Sequence, residues 1–133
     1  MNRIVLAFLL SFLIGCASLY FPPEPKHPEN LSNKDLLTVI QKSPSNKKPA
    51  LALVEASKRG LIESSEVYLI MDCKLEIGMS EQAMLLMMGI PNSVHKSTDT
   101  YGVYKQYRFG SYRHLPTFVY VDGGKVTSWD QVK

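Results

Sequence analysis

Apolar positions recur at helical spacing up to Pro91 and at alternate positions after it. Leu36, Leu37, Val39 and Ile40 give one side to a helix expected from about Lys34. Ser32 or Asn33 can cap it, and Asp35 suits its first turn. Ser43-Pro44-Ser45-Asn46 breaks it. A second helix is expected over 49–59, with Leu51, Val54 and Leu61 on its inner face, Ala50 and Leu53 flanking, and Gly60 ending it. Ser64 or Ser65 should cap a third that runs to about Asp72, with Val67, Ile70 and Met71 facing inward. A fourth is predicted over 80–88. Ser80 caps it, Glu81 complements its dipole, Gly89 fits a left-handed C-cap and Pro91 forbids continuation. Met79, Ala83, Leu86 and Ile90 make its stripe, which Met84, Met87 and Met88 widen into core.

Beyond Pro91 the residues are β-forming. Strands are expected over 93–98, 103–109, 117–121 and 125–129. Asp99-Thr100-Tyr101-Gly102 and Asp122-Gly123-Gly124 are turns, and 110–116 is a polar loop. Connections this short allow only antiparallel pairing, because parallel strands need long crossovers. One face of such a meander packs on helices while the other stays partly wet. The fold class is therefore α+β: N-terminal short helices and a helix 80–88 packed on a three- to four-stranded antiparallel meander.

Ahead of the helices lies a different kind of segment. Arg3 precedes residues 4–14, apolar except for Ser11. That length suits a signal h-region and is too short to span a bilayer. It ends in Leu13-Ile14-Gly15-Cys16, which resembles the lipobox of bacterial lipoproteins. The resemblance implies cleavage before Cys16 and acylation of its thiol (palmitate) and new amino group. Several acyl chains anchor firmly, since each buried CH₂ contributes about 0.8 kcal/mol. Ala17 follows where an Asp would favour inner-membrane retention. The expected location is therefore the cell outer membrane, facing the periplasm. Pro22, Pro23, Pro25 and Pro28 then favour an extended spacer of about 3.1 Å per residue. Four parts result: a leader over 1–15, the lipidated cysteine and linker over 16–31, a helical segment over 32–74 and an α+β domain over 75–133.

Composition narrows the chemistry. The net charge is +3, one less once Arg3 leaves, and the basic residues are dispersed. A nucleic-acid binder would concentrate them on one face, so nucleic acid is not an expected partner. With Cys16 acylated, Cys73 is the remaining thiol and should be a buried filler. His27, His95 and His114 follow no metal-ligand spacing. There is no phosphate loop, Cys-x-x-Cys or nucleophile elbow. The expectation is a non-catalytic protein with no cofactor and no metal.

Ile77-Gly78-Met79-Ser80, then Gly89-Ile90-Pro91, an aromatic strand and Val121-Asp122-Gly123-Gly124-Lys125-Val126 resemble the SmpA/OmlA family over about residues 75–130. That BamE-like family implies helices on an antiparallel sheet, like one repeat of a β-lactamase inhibitor protein. It includes a lipoprotein subunit of the outer-membrane β-barrel assembly machine. The resemblance and the lipobox together imply a lipid-anchored envelope protein that binds or scaffolds other envelope proteins. An accessory role in β-barrel assembly and an inhibitor or immunity-type binder are the alternatives. Tyr and Arg are favoured interface anchors. The aromatic last third therefore supplies the candidate partner interface: Tyr104, Arg108, Tyr112, Arg113 and Tyr120.

Overall fold

A computed structural model describes residues 24–110, 116 and 118–130. Cys16, Tyr112, Arg113 and His114 lie outside the described residues. Helices α1 (Asn33–Lys42), α2 (Ala50–Lys58), α3 (Ser64–Met71) and α4 (Glu81–Met88) precede strands β1 (Ser93–Asp99), β2 (Gly102–Arg108), β3 (Phe118–Asp122) and β4 (Lys125–Asp130). The strands form one open antiparallel sheet in the order β1-β2-β3-β4. The architecture is α+β with a four-stranded meander. Asp99 Oδ1 accepts from the Tyr101 and Gly102 N–H groups and sets the first hairpin turn. Gly123 and Gly124, at φ +56° and +78°, make the second, as a primed turn requires.

One core unites the segment before residue 75 with the part after it. Leu36 and Ile40 of α1, Leu53 of α2, Ile70 of α3 and Met84, Leu86 and Met87 of α4 pack with Val119 and Val126 of the sheet. The methionines are core, as their stripe predicts. The helical layer covers the sheet unevenly. Val119, Val121 and Val126 are buried, β2 buries only Tyr107, and all seven residues of β1 are exposed. The sheet thus projects past its helices at the β1 end.

The proline-rich segment is not an extended spacer as far as Leu31, because Arg59 fastens its end. Pro28–Asn30 is a 3-10 turn with Pro28 buried. Arg59 Nε donates to Glu55 at 2.8 Å. Its two terminal nitrogens donate to the carbonyls of Leu31, Pro28 and Glu29 and to Asn33 Oδ1. All five guanidinium donors are used. The Leu51 N–H donates to Glu24 at 2.8 Å, so the described chain begins against the first turn of α2.

Three details depart from the periodic pattern. First, α2 buries Ala52, Leu53 and Ala56 and leaves Leu51 and Val54 54% and 44% exposed. Residues 50–54 are all apolar, so the period admits two faces. The face with two alanines wins because it brings α2 closest to its neighbours. Second, α3 starts on Glu63, not on Ser64 or Ser65. The Glu66 carboxylate turns back to accept from the Glu63 N–H at 3.0 Å, and Met71 is exposed. Third, Gly89 sits at φ +89°, ψ −150° instead of the left-handed helical region. The chain leaves α4 extended, so Ile90 is 66% exposed and not part of the stripe. That backbone region belongs almost solely to glycine. Gly89→Ala is expected to cost about 1–3 kcal/mol, read as a lower urea midpoint with an unchanged slope.

The exposed ends of the helices are closed by side chains. Ser45 Oγ donates to the Met87 carbonyl and Gln41 Nε2 to the Gly89 carbonyl. Lys48, buried, donates to the carbonyls of Ile40 at 2.8 Å and Ser43 at 2.7 Å, and so finishes α1. Burial pushes its ammonium down to about 8, with the neighbouring Cys73 opposing. Cys73 is half-buried at φ +52° and its thiol donates to the Ser45 carbonyl. Burial pushes that thiol up, Lys48 opposing.

Candidate functional site: the free end of the sheet

Alternation divides the sheet into two faces. Val103, Lys105 and Tyr107 of β2 share a face with Val119 and Val121 of β3 and turn toward the helices. Tyr104, Gln106 and Arg108 turn the other way, beside Asp122, Tyr120 and Phe118 of β3 and Ser97, His95 and Ser93 of β1. The sequence-predicted residues Tyr104, Arg108 and Tyr120 therefore lie together on the face away from the helices. Tyr104 is 36% exposed and Arg108 is exposed, while Tyr120 is half-buried.

Tyr120 is held by two partners that sequence reasoning passed over. Its hydroxyl accepts from Gln106 Nε2 at 3.2 Å and donates to Asp130 Oδ2 at 3.1 Å. Gln106 stands opposite Tyr120 in the β2–β3 register, and Asp130 stands opposite Phe118 in the β3–β4 register. Alternation places Gln106 on this face; the role of Asp130 depends on a register that a single sequence does not specify. The result is a fixed row from Gln106 through Tyr120 to Asp130, flanked by a more exposed Tyr104 and Arg108. Nearby carboxylates Asp99 and Asp122, with burial between them in weight, push the Tyr104 phenol up. The face offers a planar aromatic surface, a guanidinium with five donors and a phenol–carboxylate pair, a set suited to polar protein contact.

The helix-facing side holds a different group. Lys105 Nζ donates to Glu81 Oε1 at 2.7 Å, and the Tyr107 hydroxyl donates to the same oxygen. Burial raises the Tyr107 pKa, and the Glu81 hydrogen bond raises it further. Burial also pushes the Glu81 carboxyl up, but the hydrogen bonds from Lys105 and Tyr107 and the Lys105 charge outweigh it and hold the group below its ordinary 4.5. A carboxyl lowered on folding contributes stability above its unfolded value and loses it as pH falls through the folded one. Wild type should therefore exceed Glu81→Gln in stability at neutral pH. That difference should shrink as the pH drops below about 4.5, as urea midpoints across the acid range would show. The group locks α4 onto β2 and so fixes the sheet beneath its free end.

The two edges of the sheet differ. Beyond β4 the segment before α4 closes the ladder: Gly78 N–H donates to the Val126 carbonyl, Val126 N–H to the Met79 carbonyl and Glu81 N–H to the Gly124 carbonyl, at 2.8–2.9 Å. Beyond β1 no strand of the described residues pairs. His95 sits on the exposed side of β1; His27, which hydrogen-bonds Glu29, is far from it in sequence and on a different element. Among the described residues no three His, Cys, Asp or Glu side chains gather as a metal would need. No family model, no curated protein and no solved structure matches the chain.

Proposed function

We propose that this chain is a lipid-anchored protein of the bacterial cell envelope that binds other envelope proteins without catalysing a reaction. Acylated Cys16 would hold it to the outer membrane, and the free end of the sheet would meet the partner. The leader and the lipobox at Leu13-Ile14-Gly15-Cys16 support the anchor. The observation that carries the binding reading is the face with Tyr104, Arg108 and Tyr120. These interface-prone residues are aligned on one surface that no described helix covers. Their positions are prepared by the Gln106–Tyr120–Asp130 row, which reduces the entropy lost on docking.

Affinity capture from cross-linked membranes tests both halves. Wild type should retain envelope proteins that a Tyr104/Arg108/Tyr120 triple-alanine variant, folded and equally abundant, does not. Cys16→Ser should block lipid processing and release the protein from membranes. Equal capture by wild type and triple variant would overturn the binding surface. Unchanged membrane attachment of Cys16→Ser would overturn the anchor.

A further inference from the structure

Among the described residues, one edge of the sheet is closed and the other is open. Val126 and Gly124 spend their outward backbone groups on the segment from Gly78 to Glu81. β1 has no such cover among the described residues, no proline within it and no bulge against β2. An edge left unpaired is a template for another strand, and Lys96 at the centre of β1 is its one guard.

The register identifies which groups are on offer. Gly123 N–H donates to the Val103 carbonyl at 3.2 Å. Val103, Lys105 and Tyr107 therefore spend their backbone groups on β3, and by alternation Tyr104, Gln106 and Arg108 spend theirs on β1. Their partners in β1 are Ser97, His95 and Ser93. The N–H and C=O groups of Val94, Lys96 and Thr98 are left pointing away from the sheet. The side chains of these three lie on the helix-facing side, beyond the reach of the helices, and all are exposed.

Charge selects the occupant. His95 and Lys96 stand at the centre of β1. The one acid of the strand, Asp99, is engaged at the turn by Tyr101 and Gly102. In a second copy paired through a two-fold axis, the register that uses all three outward residues sets Lys96 against its own counterpart. Like charges directly opposite destabilise a pair; Lys96 already faces Lys105 of β2, whose charge Glu81 meets, so a further lysine on the outer side would stand without a carboxylate. An extended segment with a carboxylate opposite Lys96 meets no such penalty and gains a cross-strand ion pair.

We propose that β1 is a strand-addition site, where an extended, acidic segment of a partner protein joins the sheet through Val94, Lys96 and Thr98. The site adjoins the aromatic face through the β1–β2 pairing. It deepens the binding reading above and rests on it.

A synthetic peptide of alternating Glu with Val and Thr, and its Lys-for-Glu counterpart, are the probes. Titrated into the non-acylated Cys16→Ser chain, the acidic peptide should slow hydrogen exchange at the Val94, Lys96 and Thr98 amides and leave Ser93, His95 and Ser97 little changed. The basic peptide should bind about tenfold more weakly or worse, a difference of about 1.4 kcal/mol. Lys96→Pro removes an outward donor without touching the β1–β2 ladder, and should abolish the effect while the Val126 amide stays protected. Lys96→Glu should reverse the peptide preference. Equal response to both peptides, response to neither, or β1 protection that grows with protein concentration alone would overturn the proposal; the last would mark self-pairing. If Lys96→Pro captures the same membrane proteins as wild type and the triple-alanine variant does not, the strand-addition site fails while the binding surface stands.

Discussion

Glu66→Ala should lower the unfolding free energy by about 3 kcal/mol or more, a loss of roughly 12 °C or greater in melting temperature for a domain of this size. Glu66 is one of the two buried polar side chains among the described residues, only 3% exposed. Its carboxylate lies between the starts of two helices. One oxygen accepts from the Ser80 N–H at 2.7 Å. The other accepts from the Glu63 N–H at 3.0 Å and from Ser80 Oγ at 2.9 Å. Ser80 Oγ accepts in turn from the Ala83 N–H, so its proton must go to Glu66. One side chain thus satisfies donors at the head of α3 and the head of α4, where a negative charge also suits both helix dipoles. Each hydrogen bond to a charged acceptor is worth about 1.5–3 kcal/mol, part of which water recovers when the side chain is cut away. Glu66→Gln should also lose stability, because its NH₂ would point at a donor. Ser65→Ala, on the exposed side of the same turn, should stay within about 0.5 kcal/mol. Chemical denaturation of the three variants separates these outcomes.

Leu53→Ala should cost about 2–5 kcal/mol, whereas Leu51→Ala, two residues away on the same helix, should stay within about 0.5 kcal/mol. Leu53 is wholly buried in the core, on the face of α2 that also carries Ala52 and Ala56. Removing it leaves a cavity whose walls are helices already in close contact through alanines, so little collapse can offset the loss. Leu51 is more than half exposed and gives up few contacts. A pair of urea melts decides which face of α2 is inward. Equal losses would mean that the helix is rotated from the orientation described.

These two cases mark where the sequence is readable and where it is not. Leucine spacing placed α2, and the caps and breakers around it set its ends to within a residue. The choice of inner face did not follow, because an unbroken apolar run carries no polar stripe to contradict the wrong rotation. The strands were more legible. Alternation in β2 separates Tyr104, Gln106 and Arg108 from Val103, Lys105 and Tyr107, and the tight turn at Gly123-Gly124 sets the β3–β4 pairing as far as Val121 and Val126; a one-residue shift at Tyr120/Val121 then puts Ser128 and Asp130 opposite Tyr120 and Phe118. The Glu66 anchor was not legible. Glu66 reads as an ordinary polar position of a surface helix. Only the packing of α3 against the head of α4 turns it into a buried acceptor. The open edge of β1 could not be read from side chains either, because backbone groups form it and because its counterpart at β4 is closed by residues far away in sequence.

The residues around Gly78 change meaning in this light. As sequence they look like the lead-in to α4. In the fold they are the cover of one sheet edge, and Glu66 fastens that cover through Ser80. Closure there leaves β1 as the unpaired edge of the sheet among the described residues.

Site-specific photocrosslinking in intact membranes tests the central claim most directly. A photoreactive side chain would replace His95 or Tyr104 at the free end of the sheet, or Tyr68 on α3, which is 72% exposed against 36% for Tyr104. The account predicts discrete protein adducts from positions 95 and 104 and none from position 68. Adducts from position 68 alone, with the sheet positions silent, would contradict it.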